Sequence, residues 1–177
     1  MKIYTGRGDE GLTDLRDMSR VSKTSPRIEA SGTVDEATAL IGSVRPTGYD
    51  DVDEWLERIQ NHLHIVQADF ANPDPDESDP VLEDEHVDRL ESWIDEATEE
   101  LDPLEHFSLP GGSEAGAGLH HARAVVRRAE RRAVAFATDD PANEVAIVYL
   151  NRLSDALFTF GRLVNRRDGV PEERPTY

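Results

Sequence analysis

The 177-residue chain carries 37 acidic against 19 basic residues, a formal net charge of −18, and no cysteine. That length suits one domain with a sizeable core, the missing cysteine excludes disulfides, thiolate metal sites and a cysteine nucleophile, and the negative field disfavours nucleic acids and anionic membranes. Only Lys2 and Lys23 are lysines, and a carboxylate-rich, lysine-poor surface suits a saline cytoplasm in which salt screens self-repulsion.

No apolar run approaches the ~20 residues a membrane span needs, and M-K-I-Y-T-G lacks the apolar stretch of a signal peptide. A cytoplasmic protein is expected. The opening K-I-Y-T-G-R-G-D-E-G-L-T contains Gly6-x-Gly8-x-x-Gly11, which formally matches a dinucleotide fingerprint. That fingerprint needs a strand before it and a helix after it. The only candidate strand is Lys2 to Tyr4, and the following D-L-R-D-M-S-R-V-S-K-T-S-P has no helical seam. The stretch reads instead as a loop whose N–H groups, with the Thr5 and Thr13 hydroxyls, can wrap phosphate oxygens.

Thr33-x-x-Glu36 reads as a capping box opening a first helix with Val34, Ala37, Ile41 and Val44 on its apolar stripe. Asp35 then falls in the first turn, where the helix dipole favours a carboxylate. Val52, Leu56, Ile59, Leu63, Val66 and Phe70 mark a second helix, and Val87, Leu90, Ile94, Ala97 and Leu101 a third, with an acidic, proline-bearing loop between them. Glu83-x-x-His86 resembles half of a di-iron ligand set, but that architecture needs a second copy, and none occurs. His62, His64, His120 and His121 show no metal spacing, so no metal ligand is assigned.

The fourth helix follows F-S-L-P-G-G-S, with Leu119, Ala122, Val126, Ala129, Ala133 and Phe136 as its seam. Arg123, Arg127 and Arg131 stand four apart on a second stripe beside Glu130. Like charges at that spacing repel by about 0.2–0.5 kcal/mol, so in so acidic a chain an anion is expected opposite them. A solvated basic face is the plainer alternative. The fifth helix begins near Asn143, with Ala146, Leu150, Leu153, Leu157, Phe160 and Val164 inward and Asn151, Asp155, Phe158 and Arg162 on a second stripe. With no run of period two, the chain is predicted to be one all-α domain over 1–177: an N-terminal segment 1–32, a five-helix bundle 33–167 and an extended or disordered tail 168–177.

Three stretches together, Y-T-G-R-G-D-E-G-L-T, R-A-V-V-R-R-A-E-R-R and Y-L-N-R-L-S-D-A-L-F, resemble the PduO-type ATP:cob(I)alamin adenosyltransferases, the corrinoid adenosyltransferase family. E-A-S-G-T-V-D-E and F-S-L-P-G-G also match in order. The resemblance implies a five-helix bundle assembling as a homotrimer, with ATP and Mg²⁺ between subunits and cobalamin as second substrate. It places Thr5, Gly6, Arg7, Gly8 and Thr13 in an ATP-wrapping segment, Lys23 on phosphate, and Arg127, Arg128, Glu130, Arg131 and Asn151 in the nucleotide site. Asp35 and Arg123 match a pair bridging subunits, and Phe107 an aromatic that lies under the corrin and displaces its lower ligand. Glu10 stands where the family commonly has lysine, and Ala156 where an aromatic is usual.

The implied chemistry is transfer of the 5′-deoxyadenosyl group of ATP to cob(I)alamin, giving adenosylcobalamin and triphosphate. Cobalt(I) is the nucleophile, consistent with a chain that lacks cysteine. A cobalt reductase and an adenosylcobalamin-dependent mutase would be partners. The alternative is a non-catalytic ATP- and corrinoid-binding module that senses or delivers cofactor.

Overall fold

Five helices and one small hairpin make up the chain, seen in a computed structural model that describes residues 2–76 and 78–177. Strands β1 (Leu12–Asp14) and β2 (Arg20–Ser22) pair antiparallel, with Thr13 opposite Val21. The expectation of a purely helical chain is corrected by this hairpin. Its strands have three residues each, too few for alternation to show in the sequence.

Helix α1 runs Pro26–Val44 and starts at Ser25, whose side chain accepts a hydrogen bond from the Ile28 N–H, followed by proline in the first turn. Its cap therefore lies eight residues before the predicted capping residue Thr33. Thr33 lies within the helix, where its hydroxyl donates to the Glu29 carbonyl at 2.6 Å. The bundle accordingly takes in residues assigned above to the N-terminal segment, and Asp35 sits mid-helix rather than in a first turn.

Helices α2 (Asp50–Phe70), α3 (Asp84–Glu99), α4 (Glu114–Phe136) and α5 (Glu144–Arg167) follow. The seams read from the sequence in α2, α4 and α5 are all buried. In α3 the seam shifts slightly: Trp93 is buried, while Ile94 only packs against the edge of the core. His86 belongs to a capping box at the start of α3, where its Nδ1 accepts from the Glu83 N–H at 3.1 Å.

Residue size sorts the packing. Ala30, Ala37, Ala122, Ala129, Ala133 and Ala156 are fully buried, and a Cβ at Gly118 would come within 2.6 Å of the Val44 side chain. Small residues let backbones approach closely, and α1, α4 and α5 form the tightly packed centre. Larger aromatics span the wider gap to α2 and α3: Trp55 lies 5.0 Å from Phe160 and 6.5 Å from Trp93 between ring centres. In the same layer Tyr149 hydroxyl meets His62 Nδ1 at 3.0 Å, and burial pushes the His62 imidazole down to about 4. His62 is a half-buried, neutral residue of this layer.

Surface charge has a testable effect on stability. Asp88, Glu91, Asp95, Glu96 and Glu99 share one open face of α3, so salt should relieve mutual repulsion there. The melting temperature is expected to rise from low to molar KCl, by about 2–4 °C for each ~1 kcal/mol gained. An unchanged or lower value would contradict screening as the dominant effect.

Candidate functional site

The N-terminal loop is built rather than loose. Gly6 and Gly11 take positive φ values of 75° and 79°, turning the chain back into β1. Arg7 donates to Asp14 at 2.9 Å, and Arg20 donates to the Arg7 carbonyl at 2.6 Å. The Lys23 N–H donates to the Gly11 carbonyl at 2.9 Å. Its side chain lies over Gly8, where a Cβ would come within 3.0 Å of Nζ. The loop is pinned to the bundle by Arg16, whose N–H reaches the Ala71 carbonyl at 3.0 Å and whose guanidinium pairs with Asp79. Thr5, Gly6, Arg7, Gly8, Thr13 and Lys23 are thus one local unit, with Lys23 an exposed cation above a glycine backbone.

Antiparallel packing of α4 against α1 and α5 divides its arginines. On the α1 side Arg128 pairs with Glu36, and Arg132 donates to Thr33 Oγ1 at 2.6 Å and pairs with Glu29 at 2.9 Å. On the α5 side Glu130 accepts from Asn151 Nδ2 at 2.8 Å, and the Arg123 guanidinium lies 5.6 Å from the centre of the Phe158 ring. Arg127 and Arg131 are exposed between these sides, and Arg131 donates to the Arg127 carbonyl at 2.9 Å. Among the described residues Arg123, Arg127, Arg131 and Lys23 form no ion pair. In a chain of net charge −18, the three arginines thus share one stripe without an ion pair, with Glu130 beside them held by Asn151.

A second concavity lies at the other end of the α4–α5 pair. A cavity of about 540 Å³ is lined by Leu101–Ser108, by Arg162 and Arg166 of α5, and by Gly169–Glu172 and Arg174 of the tail. Phe107 is 83% exposed at its edge, where a solvated benzyl group gains nothing from the fold itself. The tail is extended but tied down: Leu109 N–H donates to the Glu173 carbonyl at 2.8 Å, and Arg162 pairs with Glu172 at 2.5 Å. Nearby His120 is buried, and desolvation, followed by the charge of Arg123, holds its imidazole below the ordinary histidine range.

The residues singled out from the sequence therefore fall into three groups within one chain: the loop with Lys23, the stripe with Glu130 and Asn151, and Phe107. No hydrogen bond or ion pair joins the loop to the stripe among the described residues, nor Asp35 to Arg123. Arg128 is engaged by α1 and stands apart from Arg127. Asp35 is exposed, and its mid-helix position removes the helix-dipole explanation. Glu10 is also exposed, within the loop. Sequence reasoning missed Asn165, a buried amide in the last turns of α5 that holds the Gly111–Ser113 turn. The available signal was a polar residue directly after the seam residue Val164.

A helical bundle with an arginine stripe that forms no ion pair among the described residues, and a glycine-rich, lysine-bearing loop, offers donors suited to an anionic ligand. Comparison with known proteins narrows this. The family described as cobalamin adenosyltransferase matches residues 3–164. The corrinoid adenosyltransferase of Mycobacterium tuberculosis is 44% identical over 172 residues, 93% of this chain and 89% of that protein. That of Bacillus subtilis is 42% identical over 96% of this chain and 90% of its own length. A phenylalanine-to-alanine variant of the PduO-type ATP:corrinoid adenosyltransferase from Lactobacillus reuteri, solved with cobalamin and ATP, superposes with a TM-score of 0.93 at 31% identity, covering 99% of this chain and 100% of that one. The chain belongs to the cobalamin adenosyltransferase family.

Proposed function

We infer that the chain is an ATP:cob(I)alamin adenosyltransferase, joining the 5′-deoxyadenosyl group of ATP to cobalt with triphosphate as the leaving group. The observation that carries this is the stripe of Arg123, Arg127 and Arg131, unpaired among the described residues, on a chain that matches the family over residues 3–164. In the transfer, an electron pair on cobalt(I) forms the bond to the 5′ carbon, and the carbon–oxygen bond to the triphosphate breaks with its electrons on oxygen. The protein supplies no nucleophile. Its part is to fix the two substrates in line and to stabilise negative charge developing on the leaving oxygens.

Arg127 and Arg131 are placed to receive the triphosphate, with Lys23 and the N–H groups of the Gly6–Gly11 loop as further donors. Arg128 acts at the edge of this site through its pairing with Glu36. Asn151 orients Glu130 by donating to its carboxylate. No cluster of three histidine or acidic residues that could hold a metal occurs among the described residues. This fits Mg²⁺, which binds through substrate phosphates and one or two carboxylates, with Glu130 the carboxylate at hand. When bound, the ion would neutralise charge on the phosphates.

No hydrogen bond or ion pair joins loop to stripe among the described residues, and in this reading a homotrimer completes the site, with ATP between subunits and Asp35 of one chain facing Arg123 of the next. Phe107 and its adjoining cavity then form the corrin side, where the aromatic ring takes the place of the lower axial ligand. A cytoplasmic setting, a reductase supplying cobalt(I) and a mutase consuming the product complete the reading. No helix among the described residues is long and apolar enough to cross a membrane.

Anaerobic mixing of the protein with ATP, Mg²⁺ and chemically reduced cob(I)alamin tests the reading. Catalytic formation of a light-sensitive adenosyl–cobalt product is expected. Saturable binding of ATP and corrinoid without product would instead establish a sensing or delivery module.

A further inference from the structure

We infer that Asn165 is a positioning residue for this reaction, fixing the Gly111–Ser113 turn that follows Phe107 and the start of the tail that lines the cavity beside it; the inference rests on the corrin-side reading of that cavity. Asn165 is 6% exposed in the last turns of α5. Its Oδ1 accepts from the Ser113 N–H at 2.9 Å, and its Nδ2 donates to the Gly111 carbonyl at 2.9 Å. Its own carbonyl accepts from the Val170 N–H at 2.8 Å. Side chain and backbone of one residue therefore tie down the Gly111–Ser113 turn, just downstream of Phe107, and the start of the tail.

The fit is specific to an amide. One face must accept and the other must donate, which aspartate and leucine at similar size do not both do. Room for it comes from two glycines: a Cβ at Gly112 or Gly116 would overlap the Asn165 amide, and Gly112 sits at φ 119°, a conformation other residues rarely adopt. Helix capping does not explain the arrangement, because Ser113 Oγ already caps α4 by accepting from the Gly116 N–H at 3.2 Å. Asn165 adds fixation of the turn in front of the cap.

Phe107 needs that fixation because its side chain is almost fully solvated. No packing holds the ring, so its position follows from backbone anchors downstream: Leu109 to Glu173, then Gly111 and Ser113 to Asn165. An uncorrected shift of about 1 Å at a reacting centre can cost about 10²-fold in rate.

The test is Asn165→Asp, which keeps size and acceptor but loses the donor to Gly111. Turnover starting from cob(II)alamin with a reductant is expected to fall about 10²-fold, ATP affinity to stay unchanged, and pre-reduced cob(I)alamin to be used with a smaller loss. Combined with Phe107→Ala, it should cause no further loss, as two changes acting through one group are not additive. ATP affinity falling in step with turnover, or fully additive losses, would overturn the inference. Deleting residues 170–177, which lie outside every helix, removes one wall with Asn165 left in place. The same split is expected, and unchanged turnover from cob(II)alamin would overturn it. Amide exchange at Leu109 and Ser113, measured without substrates, tests the clamp even should the wild-type protein make no adenosylcobalamin: protection is expected, and exchange at open-loop rates would refute it.

Discussion

Trimers mixed from Asp35→Asn and Arg123→Ala chains should recover turnover that neither parent possesses. Asp35 is exposed halfway along α1 and Arg123 is half-buried against Phe158, with no hydrogen bond or ion pair between them among the described residues. In the homotrimer proposed here each would complete the other across a subunit boundary. Removing one member of a partly buried pair costs roughly 3–5 kcal/mol, because its partner is left uncompensated. Each single variant should therefore be nearly inactive. A mixed trimer contains a boundary at which an intact Asp35 meets an intact Arg123, and a fraction of wild-type turnover should return. Mixtures verified by mass to be heteromeric yet as inactive as their parents would place the pair elsewhere.

Replacing Arg127 by lysine should lower kcat by about 10²–10³, the usual cost of losing one preorganised donor to developing charge. Lysine keeps the charge and loses the planar fork that matches two phosphate oxygens at once. Arg127 is exposed and unpaired among the described residues, so stability should change by no more than about 0.5 kcal/mol. Steady-state kinetics beside a melting curve checks both halves. Near-normal kcat would show that a point charge suffices, and a large fall in melting temperature would show a structural role.

Much of this architecture was legible because helix seams repeat within a few residues. Every seam position named in α2, α4 and α5 is buried, and the arginine stripe was visible for the same reason: spacing of four on a helix is local information. The start of α1 was misread because Thr33-x-x-Glu36 carries a capping pattern inside a helix that Ser25-Pro26 had already opened. The β1–β2 hairpin was hidden by strands of three residues. Glu83-x-x-His86 looked like part of a ligand set and is a helix cap.

Asn165 was not legible because its value lies in partners more than fifty positions away, at Gly111 and Ser113. The same holds for the tail, whose order depends on Leu109 and Arg162. Loop and stripe were each recognisable, but that no hydrogen bond or ion pair joins them among the described residues emerged only from the fold. The proposed site shared between subunits would bring the two together.

Attack at the 5′ carbon distinguishes this chemistry from ordinary phosphoryl transfer, and the fate of the phosphates reports it directly. Phosphorus NMR of an anaerobic reaction with cob(I)alamin, ATP and Mg²⁺ should show intact inorganic triphosphate rising in step with adenosylcobalamin. ADP with phosphate, or pyrophosphate, in place of triphosphate would contradict the proposed reaction.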